Sequence, residues 1–238
     1  MSIFRPVIVF LILLLLGACT GRRAGTEPLT PGEIYFDYKI RGDERDSNVT
    51  VYLQYRRVGP NGNTVYLGDA ATVELDGELI GVDSSKLGGV YYEIRKPLAS
   101  FAGEHEIVYT DWTKKKYRER FAFMPLVLRS ERAGVSDSSG RKILQRHDVS
   151  FELEAFDTMY YVRVVATDTS FRSNDLHEID TVKDGKIVLR AQQLRNLVNG
   201  PVVFQFSKEL ERPVTDRTAA GGKISISYGL QREFILKD

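Results

Sequence analysis

The chain of 238 residues contains one cysteine, three histidines and one tryptophan. A lone cysteine excludes an internal disulfide, although an exported protein has the opportunity to form one. Stability must therefore come from apolar cores, and 12 Tyr, 12 Phe and many Val, Ile and Leu supply them. Basic residues number 33 against 32 acidic ones. That balance offers no general attraction for nucleic acid, whose binding depends on clustered positive charge. Catalytic motifs are missing too: the sequence has no phosphate loop, no Rossmann glycine motif, no His-Glu-x-x-His and no Gly-x-Ser-x-Gly elbow. His105, His147 and His177 lie far apart, each without a nearby ligand partner in sequence. The pairs Asp43/Glu44 and Asp180/Asp184 do not fit a Ca²⁺ loop, which needs alternating oxygen ligands and a closing Glu. The expectation is a non-enzymatic protein without metal or cofactor.

The position of the single cysteine is informative. Met1 to Arg5 is a short segment whose only charge is Arg5, Val7 to Leu16 is an unbroken apolar run, and Gly17 and Ala18 precede Cys19. A positive start, a short apolar stretch and small residues before a cut site describe a secretory signal peptide. The run falls short of the ~20 residues that cross a hydrocarbon core. Leu16-Gly17-Ala18-Cys19 resembles the lipobox of bacterial lipoproteins. The resemblance implies cleavage before Cys19, a diacylglycerol on its thiol and further acylation (palmitate) at the new N-terminus, so the partner is a membrane reached through an N-terminal lipid. Two or more chains give stable anchoring where one gives only marginal binding. Loss of residues 1–18 removes Arg5 and no acid, leaving about 220 residues with 32 charges of each sign. Thr20 is not the Asp that resembles the inner-membrane retention signal of enteric bacteria. The acidic cluster resembling the surface-export signal of Bacteroidetes lipoproteins is absent as well. The localisation expected is an exported, lipid-anchored protein at the outer membrane facing the periplasm.

After the cysteine, "TGRRAGTEPLTPG" reads as a flexible tether over residues 19–32. Ile34, Phe36, Tyr38 and Ile40 then alternate with polar positions, as do Val49, Val51, Leu53 and Tyr55, the period-two pattern of half-buried strands. Turn residues punctuate them at "RGDERDSN" and "GPNGN". Asp76-Gly77 inside "ATVELDGELIGV" signals a tight hairpin. Residues 103–123 read as a long hairpin with its tip near Thr113 to Lys116 and Tyr117, Phe121 and Phe123 inward. The texture changes around Pro125 to Gly140, a plausible junction, and strand signals resume from Phe151 to Tyr228. One segment, "RAQQLRNLVNG" at 190–200, reads as helical, with Leu194, Leu197 and Val198 on one face. Strands recurring every 8–12 residues suggest sandwiches.

"AGEHEIVYTDW…KYRERFAF" resembles the final strand pair of bacterial immunoglobulin-like domains. The resemblance implies an all-β chain of two immunoglobulin-like antiparallel β-sandwich domains, at 33–128 and 129–238. Such modules serve adhesion, ligand presentation, spacing and envelope assembly, and the fold alone selects none of these. Two functions follow as expectations: a periplasm-facing binding or assembly module with an envelope-protein partner, or a surface-displayed carbohydrate-binding or adhesive module with a glycan partner.

The sharpest candidate surface is the hairpin, with Trp112 beside Lys114, Lys115, Lys116, Arg118 and Arg120. A Trp next to a basic cluster suits a sugar ring, an anionic partner or a lipid headgroup. The competing reading is a solvated face that keeps the hairpin soluble and unpaired. Tyr35, Tyr52, Tyr91 and Tyr161 fall opposite the presumed cores, where they serve either as a binding platform or as cross-strand sheet pairs. Arg41-Gly42-Asp43 matches the integrin tripeptide, a triplet that arises easily by chance. Asp157-Thr158-Met159 and Asp180-Thr181-Val182 resemble the O-glycosylation pattern of Bacteroidetes envelope proteins.

Overall fold

The computed structural model describes residues 29–131, 143–145, 147–154, 161–168, 176–180 and 185–237. Cys19, Asp157-Thr158-Met159 and Thr181-Val182 lie outside the described residues. Every strand bound below comes from the segment Pro31–Asp238, which forms one compact unit.

The first sandwich follows from the alternation. Strands β1 (Ile34–Asp43), β2 (Asn48–Arg57), β5 (Val82–Ser85) and β6 (Gly89–Pro97) make one layer in the order β1-β2-β6-β5. Strands β3 (Thr72–Leu75), β4 (Glu78–Leu79), β7 (Gly103–Thr110) and β8 (Lys116–Phe123) make the other, in the order β4-β3-β7-β8. Lettered along the chain, these are A-B-E-D against C′-C-F-G, the immunoglobulin arrangement. The β7–β8 pair is thus the F–G hairpin. Asp76 and Gly77 both take positive φ, 51° and 82°, the backbone of the tight hairpin turn joining β3 to β4. Phe36 sits at the centre of the core. It stacks on Tyr38 at 5.6 Å and meets Tyr55, Tyr109 and Tyr117 edge-on at 5.5 to 5.6 Å, the geometry that ring quadrupoles favour.

The second sandwich repeats the plan. Strands β9 (Leu128–Glu131), β11 (Val149–Leu153) and β14 (Lys186–Leu189) form one layer, in the order β14-β11-β9. Opposite lie β12 (Tyr161–Asp168), β13 (Leu176–Asp180), β15 (Gly200–Pro213) and β16 (Gly222–Lys237), in the order β13-β12-β15-β16, with β10 (Ile143–Gln145) parallel beside β16. Phe151, Phe204, Phe206 and Phe234 fill the space between, with centroids 4.8 to 6.4 Å apart. The expected helix over 190–200 is a single turn, Ala191–Leu194. Leu194 and Leu197 are buried as their spacing implies, but Val198 is exposed. The chain must leave the helix there, because β15 already begins at Gly200 with φ 132°.

The two sandwiches share a sheet. The first half of β16 pairs in parallel with β1, from Phe36↔Gly222 to Asp43↔Gly229. The order β13-β12-β15-β16-β1-β2-β6-β5 is therefore one nine-stranded sheet, β10 included. The close approach needs glycine at two points. A Cβ on Gly222 would sit 2.8 Å from Phe36 Cβ, and one on Gly42 would sit 2.7 Å from the Phe123 ring. Side chains reinforce the seam. Arg212 lies 2.6 Å from Glu119 and donates to the Arg120 carbonyl at 2.8 Å. Lys208 Nζ donates to the Met124 carbonyl at 3.1 Å, and Thr218 Oγ1 to that of Ile34 at 2.6 Å.

Candidate binding surfaces

The turn at the β7–β8 tip is built by Asp111. Its Oδ1 accepts from the Thr113 N–H and hydroxyl and from the Lys115 N–H at 2.6 to 3.0 Å. Lys114 is held at φ 69°, unusual for a residue other than Gly, Asn or Asp. The basic run then divides into two groups. Lys114 Nζ reaches the Ala70 carbonyl at 3.0 Å, Lys115 Nζ sits 4.6 Å above the Tyr117 ring, and Lys116 is exposed. Arg118 and Arg120, on the strand, both grip Glu106 across the hairpin at 2.6 and 2.9 Å. That pairing, Arg120 first, holds the Glu106 carboxyl below its usual range. Trp112 is half-buried at the tip. Sequence reading missed Glu106 because only the register, Glu106↔Arg120 and Val108↔Arg118, brings it under both arginines.

The outward face of the nine-stranded sheet is the second surface. Tyr35, Tyr52, Tyr91 and Tyr161 all stand there, half-buried. Tyr52 stacks on Tyr91 at 4.9 Å, and the Tyr161 hydroxyl donates to Glu209 at 3.0 Å. Desolvation raises the phenol pKa of Tyr35 and Tyr52, and the bond to Glu209 does so at Tyr161. Beneath them, buried Asp37 pairs with Arg56 at 3.0 Å, and Arg56 donates on to Gln54 at 2.5 Å. Gln54 in turn donates to the Gly88 carbonyl at 2.7 Å, pinning the β5–β6 turn over the sheet. A cleft of about 510 Å³ opens between Tyr52, Gln54 and Leu87, and another of about 330 Å³ between Ser225, Ser227 and Glu209. Lys39 and Arg41 line both. Lys39 lies 3.6 Å from Asp37, whereas Arg41 has no ion pair among the described residues.

The remaining sequence candidates take structural places. His105 stacks on Phe101 at 3.8 Å and bonds Asp76 and the Phe101 carbonyl at 2.7 and 2.8 Å. His147 is exposed, and His177 lies on β13. Arg41-Gly42-Asp43 runs along β1 rather than in a turn, with Asp43 clamped by Arg45. Among the described residues, no group of three His, Cys, Asp or Glu is placed to hold a metal ion. No helix among them is long and apolar enough to cross a membrane.

No protein-family model matches the chain, and no curated protein matches it in sequence. Among solved structures, it is similar to tandem Ig repeats of Dlar at 10% identity and a TM-score of 0.22, covering 85% of this chain and 95% of that one. A tetra-tandem repeat from the extending region of a large adhesion protein shows 13% identity and a TM-score of 0.24, over 83% of this chain and 49% of that one. Bacteroides ovatus SGBP-B, solved with a mixed-linkage heptasaccharide, shows 11% identity and a TM-score of 0.19, over 76% and 53%. At such TM-scores none of these likenesses bears on function, and the immunoglobulin arrangement rests on the strand order itself.

Proposed function

We propose that the protein is a lipid-anchored, non-enzymatic binding module of a bacterial envelope, facing the periplasm and engaging an envelope partner through the outward face of its long sheet. The observation behind this reading is the sheet face itself. It crosses both sandwiches and, among the described residues, carries no covering layer and presents Arg41 without an ion pair between two clefts. Contiguous polar faces with half-buried tyrosines suit protein recognition, where aromatic residues and Arg are enriched. A photo-crosslinking residue at Ser227 should yield a discrete adduct in intact cells that Arg41→Glu removes. The same residue at Val188, which is exposed on β14 in the other layer, should give none. Equal adducts at both positions would reject the face. Radiolabelled palmitate incorporation, lost in Cys19→Ser, tests the anchor. Protease shaving of intact against lysed cells tests the orientation.

The second reading is a surface-displayed carbohydrate-binding module. The Tyr52–Tyr91 stack beside a cleft that offers Thr50, Gln54, Arg41 and Glu93 as hydrogen-bonding groups favours it. Glycan binding lost in Tyr52→Ala but kept in Trp112→Ala would support this reading over the hairpin.

A further inference from the structure

The loops that join strands at one end of the first sandwich converge on the point where the tether enters. Three contacts establish the convergence. The Val58 N–H, just after β2, donates to the Glu33 carbonyl at 2.6 Å, immediately before β1. The Val90 N–H, at the β5–β6 turn, donates to Thr64 Oγ1 in the β2–β3 loop at 2.8 Å. Lys114, at the β7–β8 tip, reaches Ala70 of that same loop.

This end has the wrong chemistry for a bare aqueous surface. Leu87 is 102% exposed at the β5–β6 turn, and Val58 and Tyr66 are 63% and 54% exposed on the β2–β3 loop. Around them stand Lys86, Lys114, Lys115 and Lys116, all exposed. Of the nearby acids, Asp69 accepts from the Tyr66 hydroxyl and Asp216 from the Arg118 N–H at 3.0 Å. Val58 also holds φ at 67°. A β-branched residue in that region is strained, and strain of this kind collects where a surface is put to use.

We infer that this loop end is a membrane-contacting surface, with its lysines on anionic phospholipid headgroups and Leu87 and Val58 at the acyl boundary. The inference rests on the anchor reading in one respect. A tether from Cys19 to Pro31 spans at most ~40 Å, so it holds this end, where it joins the domain, near the bilayer at high effective concentration. Each lysine near an anionic surface contributes roughly a fivefold gain in partitioning. The four together then give about 600-fold, and salt reverses it because screening acts over ~10 Å.

The single tryptophan of the chain, Trp112, lies on the tip and reports the contact directly. The processed protein is reconstituted into vesicles of neutral phosphatidylcholine, or of that lipid with 30 mol% phosphatidylglycerol. On the anionic vesicles, Trp112 emission should shift to the blue and acrylamide quenching should fall at least twofold. High salt, and Lys114→Glu/Lys115→Glu/Lys116→Glu, should abolish both effects, whereas Arg95→Glu on β6 should leave them intact. An unchanged emission on anionic vesicles, or an equal shift on neutral ones, overturns the inference. Mass analysis of Cys19 separates the two readings. Acylated protein with a silent Trp112 refutes the loop surface alone. Unacylated protein that still responds to anionic vesicles refutes the anchor alone.

Discussion

Replacing Arg212 with methionine removes a cation from the seam and leaves its partner stranded. Glu119 is 1% exposed and stands on the inward side of β8, between Tyr117 and Phe121. Its Oε1 lies 2.6 Å from Arg212, and its Oε2 accepts the Thr215 N–H at 2.5 Å. Breaking a buried pair by deleting one partner costs about 3–5 kcal/mol, because the other charge stays buried without compensation. Arg212 keeps 29% of its side chain exposed, so the lower figure, about 3 kcal/mol, is expected. With a urea slope of about 3 kcal/mol/M, that displaces the unfolding midpoint by roughly 1 M. The double variant Glu119→Leu/Arg212→Met removes both charges. It should recover most of the loss, since apolar replacement of a buried pair is often neutral or better. Urea unfolding followed by circular dichroism, run as a double-mutant cycle, measures both terms. If Arg212→Met costs under about 1 kcal/mol, or if the double variant is no better than the single, Glu119 is not a desolvated partner and the account of the seam is wrong.

Because β16 completes both sandwiches, calorimetry should record one cooperative unfolding transition, and two well-separated transitions would show that the shared strand does not couple them. Gly42→Ala should destabilise by about 1–3 kcal/mol as the new methyl meets the Phe123 ring; a neutral result in thermal melts would mean that the ring moves freely. Acid should destabilise in a defined window. Arg45 lowers the carboxyl pKa of Asp43, Arg120 that of Glu106, the Ala191 N–H that of Asp148 and Lys223 that of Glu211. Their stabilisation is complete above the ordinary carboxylate value, about 4, and is lost as pH falls through the lowered folded values. Urea midpoints should stay level from pH 7 to 5 and drop below about pH 4; a level midpoint down to pH 3 would contradict the paired geometry.

The alternation of Ile34, Phe36, Tyr38 and Ile40, the Asp76-Gly77 turn and the inward Tyr117, Phe121 and Phe123 were all legible in the sequence. Each is a local pattern: side chains two residues apart share a face, and a turn needs only its own dihedrals. The fold class followed from the repetition of such patterns. The outward tyrosines were legible for the same reason. The seam was not, because the parallel pairing of β1 with β16 joins residues about 186 apart, and alternation in either strand is silent about its partner. Nor could a run of five cations show which are neutralised. Glu106 takes Arg118 and Arg120 through cross-strand register, leaving the three lysines at the tip. The loop end depends on tertiary structure in the same way, since Val58, Leu87 and Lys114 come from three separate connections. Their gathering beside Pro31 follows from how two layers stack, a long-range outcome of core packing that no local spacing encodes.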